Sequence, residues 1–387
     1  MIFQIQIFFV KSVSLKINKP VLIKGNFFIK SDSRRSVSSL WISLLLMILF
    51  FTCHFGNTVY AILQGESRRS LIFFTDKISL LPEKTITICT FNIQFLGAFK
   101  KRDNHALASL LNGYEIILIQ EMVATPVDGI YPDGSRYTAD PESKNFMNEM
   151  LQNGYQFLLS EEDTGAGKKG HTAGTSTEWF IAFYDPSSVQ PAPDLPHGFL
   201  AADRTHNPDY DRVPYAFPFR LKKGKNDFVL ISVHLAPGEG EKPEERRKQE
   251  INSIYHWINI HNQREKDFLI AGDMNIENKK ELSAITPDHM VSLNDECRRT
   301  NTLINHTPPD YGAKPYDQVF YFPEYSRDDI DASFDCKVID LVSAMKPYWH
   351  QAGPYPGKPY HHDLFRQDYS DHDPLIFRIR ILDYDED

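Results

Sequence analysis

Six stretches of this 387-residue chain set acidic, amide or imidazole side chains where apolar runs end or begin. Asn92 lies at the end of ITICTFNI, Glu121 closes EIILIQE, and His234 stands near the end of DFVLISVHL. Asp273 and Asn275 end DFLIAGDMN, Asp317 stands just before QVFYF, and Asp371 and His372 precede LIFRIRI. Any single carboxylate at such a place is commonly a turn former or a helix cap. Six converging ends make something else: a pocket of hard oxygen donors with two imidazoles and no thiolate. That donor set suits Mg²⁺ or Mn²⁺, with Ca²⁺ as a structural ion, better than structural zinc. The cysteines (Cys53, Cys89, Cys297 and Cys336) contain no CxxC spacing, which excludes a zinc ribbon. The stretch 161–177, EEDTGAGKKGHTAGTST, sets Gly165 and Gly170 at phosphate-loop spacing. Thr172 supplies the hydroxyl, but His171 stands where the lysine should follow, so it reads as a flexible loop.

Strands and helices must hold these groups. ITICTFNI (86–93) is β-branched and aromatic and predicts a buried strand. Further strands are expected at 115–121, 179–184, 227–235, 267–275, 318–322 and 375–381. Helices are expected at 104–111 and 143–153, and from Pro243 to about Asn262, where Ile251, Ile254, Tyr255 and Ile258 share one face. Loops are expected at 124–142, 161–177 and 190–218. Strand–helix alternation, with some strands following one another directly, predicts an α/β protein with mixed sheets.

The composition, 42% hydrophobic and 24% charged, excludes collagen, coiled coil and wholesale disorder. Charge is uneven. Residues 1–61 hold seven basic side chains and one acidic, which leaves the remainder at net −15. Such a body does not bind nucleic acid through bulk electrostatics, and phosphate chemistry on it needs metal ions. Arg212, Lys222, Lys223, Lys225 and the pair Lys168 and Lys169 are its candidate basic contacts. Residues 40–51, LWISLLLMILFF, match the apolar core of an export signal preceded by Lys30, Arg34 and Arg35. The expected organisation is therefore an export signal or membrane anchor at 1–61, a linker at 62–83, and a catalytic domain at 84–387. The protein is expected outside the cytoplasm, secreted, periplasmic or held at a membrane by 40–51, and as a monomer. Export permits a disulfide between Cys297 and Cys336 without requiring one.

Taken in order, TFNIQFLG (90–97), IQE (119–121), SVHLAP (232–237), GDMN (272–275), YDQV (316–319) and SDHDP (370–374) resemble the endonuclease/exonuclease/phosphatase superfamily, and deoxyribonuclease I-like proteins in particular. The resemblance covers about residues 84–382. It implies a four-layer α/β sandwich, two mixed β-sheets packed face to face with helices outside, and metal-dependent cleavage of phosphoester bonds. It also implies roles. Asn92, Glu121, Asp273 and Asp371 would serve the metal. His234 and His372 would be donors or general acid/base groups, with Glu178 orienting the first and Asp317 the second. Asp273 and Asn275 would complete the catalytic phosphate site, and Arg212, in DRVP, would contact phosphate beside Asn275.

Departures from the family pattern bear on substrate. Val123 and Ser176 stand where the nuclease has groove-inserting arginine and tyrosine. QEMV lacks the lysine of abasic-site endonucleases, and YDQV lacks the cysteine-aspartate-arginine signature of inositol polyphosphate phosphatases. The expected function is a phosphodiesterase, foremost an endo- or exonuclease on nucleic acid. The alternatives are a phospholipid or phosphosugar phosphoesterase, and a noncatalytic effector or binding module.

Overall fold

The computed structural model describes residues 61–63, 70–72, 84–165, 177–204, 207–263, 265–303, 312–349 and 362–385. The apolar run 40–51, Cys53, Ser176, and Lys168 and Lys169 lie outside the described residues. The chain divides into two units, residues 1–80 and 81–387. In the first, β1 (Ala61–Leu63) pairs antiparallel with β2 (Ser70–Ile72). Among the described residues no helix is long and apolar enough to cross a membrane.

The second unit begins with β3 (Thr85–Leu96), α1 (Asn104–Leu111), β4 (Ile116–Met122) and a small hairpin of β5 (Gly129–Ile130) and β6 (Arg136–Tyr137). Next come α2 (Pro141–Gln152), β7 (Gln156–Leu159), β8 (Trp179–Tyr184), β9 (Val189–Pro191), β10 (Gly198–Phe199), β11 (Tyr215–Leu221) and β12 (Asp227–His234). The long α3 (Glu241–His261) leads to β13 (Phe268–Asp273), α4 (Lys279–Ile285), β14 (Val291–Ser292) and β15 (Asp317–Tyr321). The unit closes with β16 (Lys337–Val338), α5 (Leu341–Ala344), α6 (His362–Asp368) and β17 (Leu375–Arg380). Helix starts follow local chemistry. Asp103 caps α1 through Ala106 N, and Asp140 caps α2, with Pro141 at its first position.

Two mixed sheets result, ordered β16-β17-β3-β4-β8-β7 and β10-β11-β12-β13-β15-β14, with β9 also on β11. Each has one parallel pair at its centre, β3 with β4 and β12 with β13, flanked by antiparallel neighbours. The period-two alternation of strands sorts the core into layers. Ile86, Ile88, Ile116 and Leu118 of the first sheet meet Phe217, Leu230, Leu269 and Ala271 of the second. The opposite face of the first sheet, Cys89, Phe91, Ile117 and Ile119, packs on Leu107 of α1, Phe146 of α2, Leu341 of α5 and Phe365 of α6. The outer face of the second, Ile231, Val233 and Ile270, packs on Ile251, Ile254 and Ile258 of α3 and Leu282 of α4. The fold is a four-layer α/β sandwich.

Two expected loops change: residues 124–142 contain the β5–β6 hairpin and the start of α2. Residues 190–218 are not simply a loop: they contain β10, part of β9 and the first half of β11. Pro218 masks the strand signal, yet it sits within β11 opposite Val229, and its carbonyl accepts from Ala192 N at 3.1 Å. The strand tolerates a residue without an N–H because its partners there come from loop and short edge strand. Cys297 and Cys336 are free thiols. Cys297 packs against the core on the α3 side of the second sheet, whereas Cys336 lies in the core between the sheets.

Candidate active site

The expected site residues come together at one end of the two sheets. Asn92 leaves β3 at a bulge whose next residues, Gln94 and Phe95, have φ near 50°. This left-handed backbone costs energy in non-glycine residues and is found where structure over-determines it. Asn92 Nδ2 donates to Glu121 Oε1 at 2.8 Å and to Asp273 Oδ2 at 2.9 Å, joining the two sheets. Glu121, itself at φ 60°, accepts from Phe95 N at 3.1 Å. Asp273 ends β13 with Cα neighbours His234 on β12 and Asp317 on β15. The close approach there needs Gly272: at φ 147°, a Cβ would fall 2.1 Å from the Val233 carbonyl oxygen.

Two histidines, each backed by a carboxylate, face a single oxygen. His234 Nδ1 lies 3.1 Å from Glu178 Oε1, and His372 Nδ1 hydrogen-bonds Asp317 Oδ2 at 2.8 Å. Both Nε2 atoms point inward, each 3.5 Å from Asp273 Oδ2. A carboxylate on one ring nitrogen fixes tautomer and orientation, leaving the other nitrogen for chemistry. Asp371 lies beside this centre, with Oδ1 4.0 Å from His372 Nε2 and Oδ2 bonded by Gln94 Nε2. Asn275, at φ 51°, donates from its backbone to Asp273 Oδ1 and from Nδ2 to Leu235 O. Arg212 Nε stands 3.5 Å from Glu178 Oε1, and its Nη1 is buried without a hydrogen bond among the described residues. Its immediate partner is thus the carboxylate that faces His234.

Burial and charge divide these groups. Desolvation pushes the Glu121 and Asp371 carboxyls above their ordinary range. It acts the same way on Glu178 and Asp273 but is outweighed, by His234 and Arg212 in the first case and by His372 and His234 in the second. Burial would lower both histidines, yet Glu178 and Asp273 raise His234, and Asp317 and Asp273 raise His372 well above its ordinary value.

The residues fit a divalent cation. Ligand atoms of Glu121, His234 and Asp273 lie within 4.8 Å of one another, as do those of Asp273, Asp317 and His372. Among the described residues, Asp371 Oδ1, Gln94 Oε1 and Asp317 Oδ1 are buried acceptors without a hydrogen bond. Buried oxygens of this kind call for a positive partner.

Three contributors escape the sequence reading. Gln94 sits inside the quoted motif but carries no charge to mark it. Arg247 and Glu250 of α3 are fully buried. Glu250 accepts from Asp211 N at 2.7 Å and Ala236 N at 2.8 Å, holding the segments next to Arg212 and after His234. Arg247 donates to Ala236 O, Gly238 O and Glu281 Oε1. Their signal was available: both fall on the Ile251, Ile254 and Ile258 stripe, where a charge without a purpose is out of place.

No protein-family model matches the chain, and no curated protein matches it. In structure it is similar to an endonuclease/exonuclease/phosphatase family protein from Bacteroides thetaiotaomicron, at 12% identity and TM-score 0.47, over 76% of this chain and 97% of that one. It is also similar to the human Nocturnin catalytic domain with bound sulfate, at 14% identity and TM-score 0.47, covering 76% and 94% of the two chains. A mannosyl-6-phosphatase from Bacteroides thetaiotaomicron matches at 11% identity and TM-score 0.47, covering 76% and 99%. The activities in those names are those of the named proteins.

Proposed function

We propose that this chain is a divalent-metal-dependent phosphoric ester hydrolase, and specifically a phosphodiesterase acting on nucleic acid. The observation that carries this reading is the pair of carboxylate-backed imidazoles aimed at Asp273 Oδ2 beside an all-oxygen donor set. Asn92, Glu121 and Asp371, with Asp273, would hold the cation, which when bound offsets phosphate charge and acidifies water. One imidazole Nε2 accepts the proton of the attacking water as the phosphorus–oxygen bond forms. The second, protonated, donates to the departing oxygen or to a phosphoryl oxygen. Glu178 and Asp317 hold the two rings and stabilise the charged form. Asn275 and Arg212 would meet the phosphate, Arg212 by turning from Glu178. The N-terminal run 40–51 and an address outside the cytoplasm belong to the same proposal.

The test is the purified protein on plasmid, single- and double-stranded oligonucleotides, phosphocholine esters and phosphosugars, with chelator and then Mg²⁺ or Mn²⁺. Nucleic acid hydrolysis that chelator abolishes and either metal restores is the expected result. Full activity in excess chelator would overturn the metal reading. Turnover of lipid or sugar esters alone would move the chain to those substrates.

A further inference from the structure

Arg102 lies just before α1, only 6% exposed, and is not among the expected site residues. Among the described residues its hydrogen bonds go to backbone carbonyls: Nη1 donates to those of Ile93 and Tyr369, and Nη2 to that of Gln94. Ile93 and Gln94 follow Asn92 at the bulge of β3; Tyr369 immediately precedes Ser370, Asp371 and His372. The fork therefore joins two segments far apart in sequence, Tyr369 lying 267 residues from Arg102, and both carry proposed cation ligands. Both are joined again nearby. Asp103 N donates to Asp368 O at 3.1 Å, Ser370 Oγ donates to Asn92 O at 2.7 Å, and His372 N donates to Ser370 Oγ at 3.0 Å. Burying a cation against carbonyls is costly, and here its charge faces Asp371 and Glu121. A lysine offers a point charge rather than a planar fork and cannot reproduce all three contacts.

We propose that Arg102 is a positioning residue that clamps the β3 bulge to segment 369–372 and thereby fixes the spacing of Asn92 and Asp371. The clamp rests on the functional reading above only in what it serves, the preorganised cation site.

Hydrogen exchange on the metal-free protein tests it directly. In Arg102→Met, amides in 92–96 and 369–373 should exchange together, at least ~10-fold faster than in wild type, while α3 and β12 keep their protection. Arg102→Lys, the milder variant, should restore protection to one segment more than the other. By calorimetry, Mn²⁺ half-saturation should rise ~10–100-fold in Arg102→Met, as when groups that orient metal ligands are removed. In Arg102→Met, loosening of only one segment, or of the whole chain evenly, would overturn the clamp. So would wild-type Mn²⁺ affinity in both variants. A wild-type chain that takes up no Mn²⁺ would remove the metal reading, and the paired exchange would still decide for or against the clamp.

Discussion

Asp273 Oδ2 is 2.9 Å from Asn92 Nδ2 and 3.5 Å from the Nε2 atoms of both histidines. One oxygen thus senses the cation side and both proton-transfer groups, and neither histidine can be altered in isolation. His234→Ala and His372→Ala should each lower kcat by about 10²–10⁴ while the protein folds, measured as initial rates beside circular dichroism. Glu178→Gln and Asp317→Asn act through the rings and should also slow turnover. Combining either with its histidine's alanine should add little, because the pair works as a unit. Near-wild-type rates in a histidine variant would refute these roles.

At the scale of elements, the site depends on two parallel strand pairs, packed face to face with their C-terminal ends at one edge of the sandwich, and on the backbone exceptions that end them. Gly272→Ala would place a Cβ against the Val233 carbonyl in the β12–β13 pair. It should cost at least about 2 kcal/mol, seen as a lower urea midpoint, and activity should fall with it. A variant of wild-type stability would show that the strands part without cost. Much of this was legible from sequence. The strand at Trp179–Tyr184 and the helix at Asn104–Leu111 were expected at those bounds and the other expected elements within a few residues, because hydrophobic periodicity is a local signal, while short elements such as β7, α4 and α6 were not expected at all. β11 was missed because Pro218 contradicts the pattern. Arg102, Arg247 and Glu250 were not read as supports of the site, because each matters through backbone partners far away in sequence. The basic candidates fared differently: Lys222, Lys223 and Lys225 lie between β11 and β12, a strand length of about 25 Å from His234.

Charge is the property of the whole molecule that bears most on its behaviour. Basic side chains near the site are already engaged: Lys314 by Glu239 and Glu277, Lys100 by Asp140, Arg212 by Glu178. On a body of net −15, duplex DNA should bind weakly and with steep salt dependence. Single strands should be cleaved at least as fast in matched oligonucleotide assays at two salt concentrations. A duplex preference persisting at high salt would contradict this. Stability has its own pH signature. Burial raises Glu250 from 4.5 to about 7, and Asp373, which caps α5 through Leu341 N, from 3.8 to about 7. In that window the folded state binds more protons than the unfolded, so stability falls as pH rises from about 4.5 to about 7. The Glu250 share is on the order of 3 kcal/mol. Glu250→Gln should flatten, though not abolish, the decline in urea midpoint between pH 5 and pH 8. An unchanged slope would show that Glu250 ionises freely.

Neither histidine finds its carboxylate within its own sheet. Glu178 precedes β8 in one sheet and faces His234 at the end of β12 in the other; Asp317 opens β15 in the second and faces His372, ahead of β17 in the first. The apolar layer between the sheets is therefore a spacer, and its thickness is a machining tolerance for two contacts of about 3 Å. Leu118, Phe180 and Ala271 touch no proposed substrate, yet their volumes set that gap. Small changes of bulk there, such as Phe180→Leu, should register in turnover before they register in melting temperature.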